Sequence, residues 1–137
     1  MLLIDTHIYL WFSGALNQER LREHVRNRIS DMDTQVFISM ASLWEMKIKQ
    51  QKGLFKLSTR VFEPLQNFSI EVLPVEQTHI LTLDTLDSDP ARPIHRDPFD
   101  RIMLAQAIAE GLTFVTHDSR CLQYAHPELA LLDATTV

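Results

Sequence analysis

Five acidic side chains in this sequence have the chemistry and the placement to form one reactive site. They are Asp5, Glu45, Asp97, Asp100 and Asp118. Carboxylate oxygens are ligands that Mg²⁺ and Mn²⁺ prefer, and such ions activate water and neutralise the leaving oxygen when a phosphodiester is hydrolysed. Carboxylates gathered at short range repel one another, and bound cations relieve that repulsion. We therefore treat the five acids as a candidate divalent-cation site.

The elements that would position these acids alternate between strands and helices. Short apolar runs, typical of strands buried on both faces of a parallel sheet, cover residues 2–4, 36–38, 70–73, 113–115 and, more weakly, 130–132. Apolar residues at helical spacing predict helices over residues 18–30, 40–51, 58–67, 75–86 and 98–110. The segment from Asp87 to Pro93 has turn composition and is expected to be a surface loop. This alternation predicts a three-layer α/β domain with right-handed crossovers over residues 1–137.

A parallel sheet would bring the acids to one edge, because sites in such sheets form outside the carboxyl ends of the strands. Asp5 directly follows the first run, Asp118 follows the fourth, and Glu45 lies in the helix after the second. Asp97 and Asp100 begin the helix over residues 98–110, and their spacing of three places them on one face. That helix leads into the fourth run, so its start lies at the same edge if the two are antiparallel.

Each acid also has a local structural interpretation at a helix start. For Asp100, at the third position of its helix, it is stabilisation by the positive end of the helix dipole, and for the others it is a cap. Asp5, Asp97 and Asp118 each precede a helical segment and could be its N-cap. Ser42 and Glu45 have the spacing of a capping box. Caps of independent helices need not converge on one edge, so the caps alone would not explain a shared location.

The charge balance leaves nucleic-acid binding open. The chain has 13 basic and 18 acidic side chains, a net charge of −5, and without the five candidate acids the balance is 13 to 13. The candidate phosphate contacts are Lys47, Lys49 and Lys52, from a stretch with no acid, and Arg96. A solvated helix face is the alternative for the lysines. We expect Arg101 to pair with Asp100 and Asp97.

Several other classes of protein do not fit. The positions of the three glycines exclude a P-loop, and the sequence Asp5-Thr-His lacks the second acid of a phosphoaspartyl phosphatase. A single cysteine, Cys121, excludes an internal disulfide, and together with six histidines without paired spacing it disfavours zinc. His95 and His117 adjoin the acids and could contact phosphate. With neither an apolar run of membrane length nor a basic leader, a cytoplasmic protein without a membrane partner is expected.

Four segments of the sequence together resemble the PIN-domain ribonucleases, specifically the VapC-like toxins of type II toxin–antitoxin pairs. They are LLIDTH around Asp5, ISMASLWE ending at Glu45, HRDPFDR around Asp97 and Asp100, and VTHD ending at Asp118. The resemblance extends from Leu2 to about Leu132. It implies a three-layer α/β/α PIN-like domain with a five-stranded parallel sheet and Mg²⁺- or Mn²⁺-dependent endonucleolytic cleavage of RNA.

The resemblance also implies roles for individual residues. Asp5, Glu45, Asp100 and Asp118 match the metal-binding acids, and Thr116 matches a hydroxyl position beside the metal. Asp97 is an additional acid, either an outer member of the site or a helix cap, and Ser39 is either a polar neighbour of the site or an N-cap.

In the mechanism expected from this match, Glu45 orients an attacking water or accepts its proton. The in-line attack leaves a 5′-phosphate and a 3′-hydroxyl.

Protein partners follow from the same resemblance. A toxin must be silenced in its own cell, which implies a cognate antitoxin, and a homodimer is a habit of the family. Trp11, Phe12, Trp44 and Phe55 are either core residues or anchors for an antitoxin segment. A non-catalytic RNA-binding or regulatory module with the same fold is the alternative to an enzyme.

Overall fold

The computed structural model describes residues 1–136, which contain a five-stranded parallel sheet flanked by helices. The strands are β1 (Leu2–Ile4), β2 (Val36–Ser39), β3 (Ile70–Leu73), β4 (Thr113–Thr116) and β5 (Ala130–Asp133), in the spatial order β3-β2-β1-β4-β5. Every neighbouring pair is parallel. The predicted three-layer α/β/α architecture is confirmed, and all five apolar runs are strands.

Six α-helices connect and cover the strands. They are α1 (Thr6–Phe12), α2 (Glu23–Ser30), α3 (Met40–Gln51), α4 (Glu63–Asn67), α5 (Gln77–Thr82) and α6 (Pro98–Glu110). Short 3-10 turns occupy Gln18–Arg20, Leu83–Thr85 and Cys121–Gln123. No helix within residues 1–136 has both the length and the apolar character needed to span a bilayer.

The central strand β1 contributes to a hydrophobic core on each face of the sheet, because successive side chains of a strand point in opposite directions. Leu2 and Ile4 belong to the core that includes Ile8 of α1 and Val25 of α2. Leu3 belongs to the opposite core, built largely from α6 and β4. Burial on both faces explains why the strands are short continuous apolar runs.

Two helices have the predicted bounds and three are shorter than predicted. The predictions for α3 and α6 are confirmed to the residue. The helix predicted over 18–30 was wrong at its start, since the chain is extended at Arg22 and α2 begins at Glu23. The helix predicted over 58–67 reduces to α4, because Pro64 is tolerated only in a first turn. The helix predicted over 75–86 begins at Gln77 and tightens to a 3-10 turn after Thr82.

The end of α6 determines where its start lies. Gly111 adopts a left-handed conformation with φ 66°, and its N–H bonds to carbonyls of the last turn. Only a glycine adopts this conformation without steric cost, and it reverses the chain directly into β4. The start of α6, with Asp97 and Asp100, is thereby returned to the carboxyl edge of the sheet.

Candidate active site

Asp5 is fixed at the end of β1 by three hydrogen bonds. Its backbone N–H donates to the carbonyl of Val115 in β4 over 3.1 Å. Its Oδ1 accepts from the N–H of Ile8 at 2.9 Å, and its Oδ2 accepts from the hydroxyl of Thr116. The residue is only 4% exposed. Asp5 is therefore both the N-cap of α1 and a buried acid at the sheet edge.

Asp97 and Asp100 begin α6 and have different local roles. Asp97 caps the helix, since its Oδ1 accepts from the N–H groups of Phe99 at 2.9 Å and Asp100 at 3.1 Å. Asp100 instead turns its side chain toward His95, with 2.7 Å between Oδ2 and Nε2. The cap interpretation of Asp97 is confirmed, and it leaves the second carboxylate oxygen available.

Asp118 follows β4 and is linked to Asp5 through Thr116. Its Oδ1 accepts from the N–H groups of Arg120 at 2.8 Å and Cys121 at 3.1 Å, so it caps the turn as predicted. Its own N–H donates to the Thr116 hydroxyl oxygen over 3.1 Å, while that hydroxyl donates to Asp5. The fully buried Thr116 hydroxyl thus sets the positions of two acids at once.

Glu45 lies in the middle of α3 and caps nothing. The cap of α3 is Ser39, whose Oγ accepts from the N–H of Ala41 at 3.0 Å, so the capping-box interpretation of Ser42 and Glu45 was wrong. Glu45 is 5% exposed. Its Oε1 accepts from the Thr6 hydroxyl at 2.5 Å, and its Oε2 lies 3.1 Å from the ammonium of Lys49. The contacts that Glu45 makes with Thr6 and Lys49 therefore have no part in capping α3.

All five candidate acids line a single cavity of about 180 Å³. The other residues that line it are Thr6, His7, Lys49, His95 and His117. The acids come from the ends of β1 and β4, from α3 and from the start of α6, which is the convergence that the parallel-sheet argument predicts. Asp5, Asp97 and Asp118 each use Oδ1 for a local cap and still line the cavity, so the capping interpretation does not exclude the site interpretation.

Burial and the neighbouring carboxylates raise the pKa values of Asp5 and Asp100. Burial raises the pKa of Asp5 to about 6, and the charges of Glu45 and Asp118 add to that effect while the Thr116 hydroxyl opposes it. Burial, followed by the charge of Asp97, raises the pKa of Asp100 to about 7 against the opposing bond from His95. Such pKa shifts are typical of a site that is completed by a cation. The oxygen donors suit Mg²⁺ or Mn²⁺, so the residues fit the predicted metal.

The predicted basic residues separate into one at the cavity and three away from it. Lys49 lines the cavity and lies 5.4 Å above the ring of Phe55. Lys47 is exposed and donates to Gln50, and Lys52 and Arg96 are exposed on the surface.

A second basic position was not predicted from the sequence. Arg20 and Arg22 line an adjoining cavity of about 250 Å³ that shares His117 with the first. They follow α1, whose N-cap is Asp5, and only this helix brings them near.

Arg101 does not pair with Asp97 or Asp100, and that prediction was wrong. Its guanidinium donates to Asp87 over 2.8 Å, to the carbonyl of His95 over 3.1 Å and to the hydroxyl of Tyr124 over 3.3 Å. Arg101 is one residue from Asp100, which places the two side chains on different faces of α6. Its spacing of four from Asp97 would allow a pair, but its guanidinium bonds instead to partners outside the helix. The three bonds form a brace that ties the predicted loop after Asp87 to the turn before β5.

The core interpretation is confirmed for three of the four aromatic residues and does not hold for Trp44. Trp11 and Phe12 are buried in the core, and Phe55 is partly buried against it. Trp44 is 64% exposed and contacts Phe99 edge-to-face at 5.3 Å between ring centroids. It borders an apolar groove of about 560 Å³ between α3, α5 and α6, lined by Met40, Ala41, Trp44, Val75, Ile80, Leu83, Pro98, Phe99 and Ile102.

Comparisons with known proteins agree with this architecture. The sequence matches the PIN domain family over residues 2–127. Ribonuclease VapC22 of Mycobacterium tuberculosis is 26% identical over 125 residues, which are 91% of this chain and 92% of that protein.

Solved structures share the fold at lower sequence identity. A chain of DNA-bound VapBC from Salmonella typhimurium superposes with a TM-score of 0.68 at 22% identity, over 97% of this chain and 98% of the other. FitAcB from Neisseria gonorrhoeae gives a TM-score of 0.67 at 16% identity over 100% of both chains.

Proposed function

This chain belongs to the PIN domain family, and we propose that it is a metal-dependent endoribonuclease, the VapC-like toxin of a type II toxin–antitoxin system. The observation that carries the proposal is the single cavity at the carboxyl edge of the sheet, lined by five acids and one lysine. The relative VapC22 is named a ribonuclease, and a further solved chain with this fold comes from a toxin–antitoxin complex of Klebsiella pneumoniae. The alternative, a non-catalytic RNA-binding module, would not need buried acids with raised pKa values.

The residues proposed to hold Mg²⁺ or Mn²⁺ are Asp5, Glu45, Asp100 and Asp118. A bound ion of this kind supplies Lewis-acid stabilisation of phosphate charge and lowers the pKa of water. Asp97 holds the first turn of α6 in place through its cap and lends negative charge to the cavity. Thr116 is a positioning residue, because its hydroxyl bonds to Asp5 and to the backbone of Asp118.

Glu45 is proposed to orient the attacking water and to accept its proton. Its Oε1 is occupied by the Thr6 hydroxyl, while Oε2 faces Lys49 on the cavity side. The Lys49 ammonium, 3.1 Å from Oε2, is the basic group nearest to this carboxylate in the cavity. The in-line attack breaks the bond to the 3′ oxygen and leaves a 5′-phosphate and a 3′-hydroxyl.

So acidic a cavity repels the phosphates of RNA, and cationic side chains beside it are needed to bind the RNA backbone. We propose that Lys49 contacts the phosphate nearest the cleavage point and that Arg20, with Arg22, receives the neighbouring backbone. Arg20 lies 5.0 Å over the Trp11 ring, and His117 separates its cavity from the acidic one. Burial is the chief cause of the lowered pKa values of His117 and His7. Both rings line the acidic cavity, and His117 also lines the adjoining one.

Cleavage of an RNA pool by the purified chain is the test of the proposed enzyme. We expect cleavage with Mg²⁺ or Mn²⁺, loss of cleavage with EDTA, and loss in Asp5→Asn. Asp84→Asn is the matched control, because Asp84 is an exposed acid in the turn after α5. Cleavage by Asp5→Asn at the wild-type rate would remove the proposed site. Failure of the folded, antitoxin-free chain to cleave any RNA, together with retained RNA binding, would favour the non-catalytic module.

Two protein partners are proposed, a cognate antitoxin and a second copy of this chain. We place the second copy on the apolar groove, since the protruding Trp44 beside a concave surface gives the self-complementary shape that a two-fold interface needs. Light scattering of the purified chain should give a dimer mass, and Trp44→Glu should give a monomer. Copurification with the protein encoded beside it tests the antitoxin, and a monomeric wild type would refute the dimer alone.

A further inference from the structure

His95 is a buried imidazole directed into the acidic cavity. It is 7% exposed and lies in the loop before α6. Its backbone is held from both sides, because its N–H donates to the Tyr124 hydroxyl over 3.1 Å and its carbonyl accepts from Arg101. Within the described part of the chain, its Nδ1 has no hydrogen-bond partner. The contacts with Tyr124 and Arg101 therefore fix the backbone of His95, and the groups that face Nε2 orient its ring.

Two carboxylate oxygens lie in front of Nε2. Asp100 Oδ2 is 2.7 Å away and Asp118 Oδ2 is 3.8 Å away. A single N–H can satisfy only the nearer oxygen. A cation among the three atoms would instead use the nitrogen lone pair and both oxygens. One potential donor atom from each of His95, Asp100, Asp118 and Cys121 lies within 4.8 Å of the others.

A nitrogen donor changes which metal a carboxylate site prefers. Mg²⁺ takes oxygen ligands almost exclusively, whereas imidazole is a good ligand for first-row transition ions. The spacing of the histidines in the sequence gave no indication of this, because the ligand set is assembled from the loop before α6 and the turn after β4. A buried imidazole beside the carboxylates therefore bears on metal selection.

We propose that His95 Nε2 is a metal ligand, together with Asp100 and Asp118, and that it gives this site a preference for Mn²⁺ over Mg²⁺. The inference depends on the proposed metal-dependent function and specifies its ion. The competing explanation is structural, in which His95 only supports Asp100 by a hydrogen bond. The two explanations differ in whether nitrogen touches the bound ion.

Pulsed electron paramagnetic resonance of the wild-type chain and of His95→Gln, each with one equivalent of Mn²⁺, distinguishes them. We expect modulation from a directly bound imidazole ¹⁴N in wild type and its loss in His95→Gln, which excludes His7 and His117 of the same cavity as its source. A Mn²⁺ spectrum without nitrogen coupling overturns the proposal, while the enzyme assignment would stand on RNA cleavage. Cleavage that fails with every metal, in a chain whose spectrum shows the nitrogen, overturns the proposed function and leaves the metal site.

Calorimetric titrations with Mn²⁺ and with Mg²⁺ give the preference itself. In His95→Gln we expect the Kd for Mn²⁺ to rise by at least about tenfold, the smallest loss usual when even an indirect partner of a ligand is removed. The Kd for Mg²⁺ should rise less, so that the preference falls. Cys121→Ser is the matched control, since it removes the other non-carboxylate donor of the group. A preference that disappears in Cys121→Ser and persists in a folded His95→Gln contradicts the proposal.

Discussion

Asp87 and Asp100 lie near the start of α6, and their surroundings act on their charges in opposite directions. The Arg101 guanidinium bonds to Asp87 and, against the effect of burial, holds the pKa of that carboxyl below its usual value. Burial and Asp97 raise the pKa of Asp100 to about 7. The structure stabilises the charge of Asp87 in the folded state and opposes that of Asp100. The charged form of Asp87 is favoured in the folded protein, whereas the charged form of Asp100 is disfavoured until a cation binds.

The largest effect is expected from making the same substitution at both positions. Asp100→Asn should reduce cleavage on the order of 10³-fold, about 4 kcal/mol of transition-state stabilisation, because the proposed metal loses a ligand. The metal-free protein should be at least as stable as wild type, because a disfavoured buried charge has been removed. RNA cleavage rates and urea unfolding measure the two effects.

Asp87→Asn should have the opposite pair of effects, lowering stability and sparing cleavage. We expect cleavage chemistry to survive at permissive temperature while the free energy of unfolding falls by about 2 kcal/mol, since Arg101 loses its charged partner. If Asp87→Asn abolished cleavage in fully folded protein, or if Asp100→Asn destabilised it as strongly, the contrast between the two acids would be wrong.

The pH dependence of stability should reveal the ionisation of Asp5 among the other titratable groups of the cavity. Asp5 has a pKa raised from 3.8 to about 6, so its ionisation destabilises the metal-free fold as pH rises through that window. The shift corresponds to about 3 kcal/mol. His7 and His117 act in the opposite direction below about pH 6.5, since their folded pKa values are lowered.

The difference between wild type and Asp5→Asn cancels the histidine contribution. In urea unfolding with EDTA, we expect Asp5→Asn to gain stability over wild type as pH rises from 4 to 7 and to keep a constant advantage above that. Added Mg²⁺ or Mn²⁺ should remove the advantage by binding wild type more tightly. An advantage independent of pH would show that the Asp5 charge is not disfavoured.

Thr116 should show how closely the site acids are positioned by their neighbours. Thr116→Val keeps the shape and removes the hydroxyl that bonds to Asp5 and Asp118. We expect metal affinity and cleavage to fall about tenfold, as for partners that orient metal ligands. Thr113→Val, at the other end of β4, is the matched control and should leave both unchanged. If the two substitutions lowered metal affinity and cleavage equally, the cause would be a disturbed β4 and not the loss of the Thr116 hydroxyl.

The smallest effect is expected from the lysines of α3 and its end. Lys49→Ala should raise KM a few-fold and reduce the slope of log affinity against log salt by about 0.7, the loss of one phosphate contact on single-stranded RNA. Lys52→Ala should change neither, since Lys52 is exposed away from the cavity. Filter binding of RNA to an Asp5→Asn background gives the slopes, and equal slopes would place Lys49 outside the RNA path.

The parts of the molecule that could be predicted from sequence are those fixed by local rules. The strands are short apolar runs because both faces of the sheet are covered. Helix α6 begins at Asp97-Pro98 and ends at Gly111, so its bounds and its antiparallel return are encoded at its own ends. The convergence of the acids then follows from the parallel sheet alone.

The parts that could not be predicted depend on contacts between distant segments. Arg101 bonds to Asp87 and Tyr124 because the loop after Asp87 folds back over α6, and its conformation leaves no periodic pattern in the sequence. His95 reaches Asp118 for the same reason. Arg20 approaches the acidic cavity only through the length and direction of α1. In each case the spacing along the chain does not measure the separation in space.

The sheet order also sets when the site can exist during synthesis. β1 precedes the other four strands in the chain but lies in the middle of the sheet, paired on one side with β4. The Thr116 hydroxyl that bonds to Asp5 comes 111 residues later in the chain. At ribosomal speeds of about 5–20 residues per second, that interval is on the order of ten seconds. A nascent or prematurely terminated chain that stops before Asp118 therefore carries no assembled site, and the proposed nuclease becomes competent only after Asp118 has been synthesised.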